Sequence, residues 1–259
     1  MRRAAVMVLL AGLLPLVGAS PALARSPPRD APRTVDARAR RGEELRKLFT
    51  DAGLPAVPPR LYLRIFKKER QVELWGGKVG APMVLVKTFE VCADSGVLGP
   101  KRRRGDLQVP EGFYGIDRYN AWSNFHLSLG LDYPNRSDRI RGRALGVEDL
   151  GGDIFVHGSC VTIGCVPIED GPIELLFLAT LDTHLAGQER IPVHVFPARL
   201  TDAGLADLRA EHDDPQLQAF WKELQPGYLH FERTHRPPRV RVHPDGRYHL
   251  TPVGEPIAP

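Results

Sequence analysis

Between Leu61 and Phe196 several short runs punctuated by Gly and Pro carry the apolar spacing of strands. That is the period of a pleated strand, and it constrains the fold more than any other feature of the chain. Leu61, Leu63 and Ile65 alternate with Tyr62, Arg64 and Phe66. A charged turn follows at residues 67–70, and Val72 and Leu74 resume the alternation, so this segment predicts a hairpin. A longer buried strand is expected over residues 83–92, and shorter ones over 112–118, 124–129, 153–157 and 191–196. Punctuation at such intervals suits a β-sandwich or barrel. The strongest internal helix is expected over 169–187. Asp170 can cap it, Pro172 fits its first turn, and Ile173, Leu176, Phe177, Leu181 and Leu185 line one face.

The flanks differ in texture. Met1-Arg2-Arg3 precedes an apolar run over residues 6–17, and Ala22-Leu23-Ala24 follows as a small-x-small cleavage site. Residues 1–24 therefore read as a secretory signal peptide, and the mature protein is expected in the periplasm. The run is shorter than the ~20 residues of a membrane span, and no later segment is long and apolar enough for one. Residues 25–60 read as a Pro/Arg-rich linker with a helix over 35–52, carrying Leu45, Leu48 and Phe49 on one face. Residues 61–199 form the main domain. Residues 200–259 form a C-terminal extension with helices over 203–211 and 215–224 and a hairpin turning at Pro244-Asp245-Gly246. The formal charge of +4 becomes +2 once Arg2 and Arg3 leave with the leader, which gives no argument for a nucleic-acid partner. The one dense basic run, Lys101-Arg102-Arg103-Arg104, reads as a solvated loop or as a patch attracted to an anionic polymer such as the cell wall.

Chemistry concentrates in Val156 to Ile168, "VHGSCVTIGCVPI". His157 ends a predicted strand, Gly158 permits a sharp turn, and Gly164 precedes Cys165. A thiol of ordinary pKa ~8.5 is mostly protonated at neutral pH, so a nearby imidazole is what would turn Cys165 into a nucleophile. The spacing leaves rivals open. Cys160 and Cys165 could form a local disulfide. His157, Cys160 and Cys165 could bind zinc with His184. All could simply pack. The chain has three cysteines, an odd number, so at most one internal pair forms. Cys92 is either a packed core thiol or the partner of Cys160. His126 alternates with apolar neighbours and can face a cleft, and Tyr114 can line it too.

Several motifs in order carry a family resemblance. The His157-Gly158 and Gly164-Cys165 pairs form an HG…GC core. "GPKRRRGDLQVPEGFYGI" spans Gly99 to Ile116, "NFHLSLGLDYPN" spans Asn124 to Asn135, and "FWKELQPGYLHFERTHRPPRV" spans Phe220 to Val240. Together, over about Leu61 to Leu250, the chain resembles the L,D-transpeptidase catalytic domain family (YkuD-type), in its YafK-like branch with a short His-to-Cys loop. The resemblance implies a mainly β fold, a sandwich of mixed sheets with peripheral helices and a helical and hairpin C-terminal extension. It implies a cysteine acyl-transferase acting on peptidoglycan stem peptides. Cys165 would form a thioester, and His157 would serve as general base and acid. The Gly164 and Cys165 amides would hold the oxyanion, and the Gly158 or Ser159 backbone would orient the imidazole. His126, Tyr114, Ser159 and Thr162 are the expected substrate contacts, with no metal and no cofactor. Two positions depart from the family pattern. Ile163 stands where many relatives have histidine, and Pro167 where many have arginine. Both departures favour a hydrolase that releases cross-links or wall-attached outer-membrane proteins as the alternative. The reading of another class is a non-catalytic wall-binding β-domain with Cys165 locked in a disulfide.

Overall fold

The computed structural model describes residues 28–251, so the expected signal peptide lies outside the described residues. Helix α1 (Pro32–Asp51) begins three residues before the expected helix, because Pro32 at its first position loses no hydrogen bond there. It buries Ala37, Leu45 and Phe49.

Eight strands follow in one mixed sheet: β1 (Arg60–Phe66), β2 (Gln71–Gly77), β3 (Val84–Glu90), β4 (Gly112–Ser123), β5 (His126–Leu131), β6 (Phe155–His157), β7 (Val166–Pro167) and β8 (Pro192–Phe196). Their order is β3-β2-β1-β8-β4-β5-β6-β7. The pairs β1–β8 and β6–β7 are parallel and the rest antiparallel. The two halves of the sheet share β4, whose residues Gly112 to Gly115 pair with β8 while Ile116 to Ser123 pair with β5. The architecture is thus mainly β with mixed pairing, as expected, with the halves continuous through one long strand.

β3 and α3 differ in burial from their sequence reading. β3 is an edge strand with only Phe89 buried, not a buried strand, because among the described residues no strand pairs on its outer side. Helix α3 (Asp170–Leu185) is buried nearly all round rather than along one stripe. Leu175, Leu178, Ala179 and Thr183 are inside along with Ile173, Leu176, Phe177 and Leu181, while Leu185 is exposed. It packs on β5, β6 and β1 and is covered by α1, so both of its sides meet protein. A further short helix, α2 (Arg136–Ala144), starts with a reciprocal capping box between Asn135 and Asp138.

The C-terminal residues form α4 (Asp202–Glu211), α5 (Pro215–Thr234), β9 (Arg239–Val242) and β10 (Tyr248–Thr251). Helix α5 continues ten residues beyond its expected end because Tyr228 and Phe231 extend the apolar stripe of Phe220, Trp221 and Leu224. That stripe joins Phe66, Phe113 and Phe196 in a second core. Two buried polar hubs bind the extension to the sheet. Glu111 is fully buried and accepts from Lys67 Nζ (2.9 Å), the Gly99 amide (2.7 Å) and Trp221 Nε1 (2.7 Å). Arg64 pairs with Glu73 and Glu232 and lies over the rings of Phe66, Trp75, Tyr228 and Phe231.

The basic run lies in a loop, as expected, with Arg103 and Arg104 exposed, but its first two residues are drawn into the fold. Lys101 is buried and donates to Asp106 (2.6 Å), Arg102 lies over the Phe220 ring, and Arg104 pairs with Asp149. Trp221→Phe keeps the ring but removes the donor to buried Glu111. It is expected to destabilise the fold by about 1–3 kcal/mol, and Trp221→Ala by about 3–5 kcal/mol. Urea midpoints would check both.

Candidate active site

The site is built on the parallel pair β6–β7, in which Val156 lies opposite Val166 and His157 opposite Pro167. Cys165 immediately precedes β7, two positions before Pro167, and the alternation of the ladder, continued by one residue, brings it to the side of His157. With strands ~4.8 Å apart and a rise of ~3.3 Å per residue, this diagonal separates the two Cα atoms by about 8 Å in an ideal ladder. Both side chains line one cleft of about 520 Å³. Cys165 also borders a second cleft of about 260 Å³, lined on its far side by Ile65, Lys67 and the segment from Ala93 to Leu98. The sulfur therefore sits where two clefts meet.

A chain that leaves β6 must reverse quickly to enter β7 in parallel, and the intervening residues are specialised for this. A side chain at Gly158 would strike Asp170 Oδ1 at 2.5 Å and the Phe125 carbonyl at 2.9 Å. Gly164 has φ 131°, a conformation that favours glycine, and its α-carbon faces the Gln108 carbonyl. Cys160 is bonded to Cys92, with Cα atoms 5.6 Å apart, which ties the loop to the segment after β3. Cys165 is the free cysteine.

His157 is 2% exposed. Its Nδ1 lies 2.5 Å from the Gly158 carbonyl, which can only accept, so Nδ1 carries the proton and Nε2 of the neutral ring is left with its lone pair. Burial holds this imidazole below its ordinary pKa, against the opposing effect of that hydrogen bond. The Phe125 ring lies over it at 4.8 Å and 31°. The Cys165 thiol sits 3.6 Å from the Asp153 carbonyl. Burial pushes the thiol up, Asp153 adds to the rise, and Lys101 opposes it. A thiol and an imidazole, each shifted by burial toward its neutral form, thus line one cleft.

The expected contact residues divide. Thr162 lines the cleft, but its hydroxyl accepts from the amides of Gly164 (3.1 Å) and Cys165 (2.8 Å) and donates to the Cys165 carbonyl (2.8 Å). The two amides expected to receive an oxyanion are thus engaged by a side chain that shapes the turn before Cys165. Ser159 gives its amide to Asp170 Oδ1 (2.8 Å) and does not line the cleft. His126 turns toward α3, with Nε2 2.9 Å from Glu174 Oε1. Tyr114 is a correction: it lies in the core, 2% exposed, its hydroxyl donating to the Asp138 carboxylate (3.1 Å). The ring is buried because β4 crosses the centre of the sheet there. The zinc set is not assembled, since Cys160 is bonded to Cys92 and His184 bonds the Glu189 carbonyl at the end of α3. Residues the sequence reading missed are Phe125 and the exposed apolar side chains Trp122 and Val161, which flank Ile163 at the rim. Phe125 falls in an alternating run, and nothing in that pattern marks it as the tip of a turn.

No family model matches the chain. Among curated proteins, it is 35% identical over 190 residues to "Putative L,D-transpeptidase YafK" of Escherichia coli K12, covering 73% of this chain and 72% of that one. The same values hold for the Escherichia coli O157:H7 protein of that name. The chain belongs to the L,D-transpeptidase family. Among solved structures, it superposes on the helical cell shape determining protein Pgp2 of Campylobacter jejuni, with TM-score 0.43 and 16% identity over 71% of this chain and 73% of that one. It also superposes on Bdellovibrio bacteriovorus Bd1075, with TM-score 0.35 and 18% identity over 54% and 48%.

Without reductant, iodoacetamide is expected to label Cys165 alone in the native protein, and all three cysteines only after reduction and unfolding. Peptide mapping of the labelled chain would check the pairing.

Proposed function

We propose that this protein is an exported cysteine acyl-transferase that remodels peptidoglycan by acting on its stem peptides through a Cys165 thioester. The observation that carries the reading is the free Cys165 thiol, in the same cleft as a buried His157 whose pKa burial lowers. Family membership adds the substrate class. In the proposed reaction Cys165 Sγ attacks the stem-peptide carbonyl as His157 Nε2 takes the thiol proton. Collapse of the tetrahedral adduct breaks the C–N bond, and the imidazolium returns the proton to the leaving amine. An amine or water then attacks the thioester, giving up its proton through His157 to the departing sulfur. Export to the periplasm is supported by the Cys92–Cys160 bond, since such bonds persist in oxidising compartments.

Hydrolysis is the second reading, including release of wall-attached outer-membrane proteins, and Ile163 favours it. This side chain is 80% exposed at the cleft rim beside Trp122, at 64%, where the family pattern has histidine. An apolar rim offers no donor to hold an acceptor's carboxylate, so water is left to resolve the thioester. The wall-binding alternative required Cys165 in a disulfide, whereas here it is free.

Purified sacculi, with and without attached proteins, should be incubated with the enzyme and their muropeptides read by mass spectrometry. New cross-links identify transfer, while shortened stems or released protein identify hydrolysis. Cys165→Ser is expected to abolish either product while retaining the fold. A wild-type protein that leaves every muropeptide unchanged refutes the assignment.

A further inference from the structure

The base is held from outside its own strand. Strands β4 and β5 meet where Ser123 pairs with His126, and Asn124 and Phe125 form the tip between them. Phe125 is 41% exposed yet lies over the His157 ring. A ring that far into solvent gains little by staying in place unless its backbone is fixed. Arg33 of α1 fixes it: one terminal nitrogen donates to the Ser123 carbonyl (2.5 Å) and to the His126 carbonyl (2.9 Å), the two residues that flank the tip. His126 has φ 67°, in the left-handed region that non-glycine residues adopt only when held. Its ring is tied to Glu174, which also accepts from Arg40 (2.5 Å) and Arg41 (3.3 Å) of α1.

We propose that Arg33 is a positioning residue for the base, acting through the turn it clamps to keep Phe125 on His157 and water off the imidazole. This rests on reading His157 as the base. The titratable and charged groups around the imidazole are few. Cys165 and Asp153 line its cleft, Asp170 of α3 lies against Gly158, and the His126–Glu174 pair lies behind the turn on β5 and α3. The clamp adds no charge to the ring itself, so its effect is exclusion of water and restriction of ring motion. Loss of Arg33 leaves α1 docked, because Arg38 still pairs with Asp182 (2.6 Å) and Ala37, Leu45 and Phe49 remain in the core.

The test is single-turnover acylation of Cys165 by para-nitrophenyl acetate across pH, with the adduct counted by intact mass. In the wild type the rate should fall only below the ordinary imidazole value, since a buried ring protonates late. Arg33→Ala is expected to lower the plateau about tenfold and to move the acid limb up toward ~6.5, with the thermal midpoint unchanged. Arg33→Lys should recover part of both effects. Phe125→Ala should reproduce the Arg33→Ala profile, and the double variant should add nothing further. An Arg33→Ala profile that superimposes on the wild type overturns the proposal. So does a rate loss that appears only with loss of the folded thermal transition. A His157→Ala profile identical to the wild type has a different signature: it removes His157 as the base, whatever Arg33 does.

Discussion

The candidate site depends on a two-rung parallel ladder. Strand β7 is two residues long, and its pairing with β6 is what gives His157 and Cys165 a common face. A slip of one residue would turn one of them to the opposite side of the sheet. Parallel neighbours ordinarily need a long crossover, whereas here residues 158–165 suffice. The specialised groups in that segment all serve this short return. Gly158 lets Asp170 and the Phe125 carbonyl close in, Gly164 supplies a left-handed backbone, and the Thr162 hydroxyl closes the turn before Cys165. The ladder also continues outward: the Cys92 amide donates to the Pro167 carbonyl (3.0 Å), so the segment after β3 lies against β7 and the bond to Cys160 holds it there.

The C-terminal residues are part of the same folding problem. Glu111 has no solvent and three donors, two from the sheet side and one from Trp221 of α5. Arg64 is likewise nearly without solvent, between a carboxylate on its neighbouring strand and one on α5. Removing a partner from either hub leaves a buried charge uncompensated, which is far more costly than losing a surface pair. The extension and the sheet therefore share their cores and their polar centres.

The sequence was most informative where a local rule decides the outcome. The β1–β2 hairpin follows from alternation around a charged turn, and the His157-Gly158 and Gly164-Cys165 pairs stand out because glycine beside a reactive residue has few other uses. It was least informative where a distant element decides. The Met83 to Val86 run is apolar, yet β3 is exposed because among the described residues no strand pairs on its outer side. Helix α3 shows one apolar stripe, but α1 arrives from the far N-terminus to bury the other side. Tyr114 sits in an alternating run like a cleft residue, and only the position of β4 within the sheet sends it inward. Thr162 was legible as a neighbour of the nucleophile, while the direction of its hydroxyl depends on a backbone turn that no residue count reveals.

The arrangement of three sulfurs has a consequence for biosynthesis. Three cysteines permit three single bridges, and two of those would consume Cys165. Cys160 is only five positions from Cys165 but 68 from Cys92, so chain proximity favours one of the wrong products early in oxidation. The Cys92–Cys160 bond becomes the preferred one only once the segment after β3 and the loop after β6 have been brought together, which makes assembly of the sheet a precondition for leaving the Cys165 thiol free. A mispaired chain would keep Cys165 capped until thiol exchange released it.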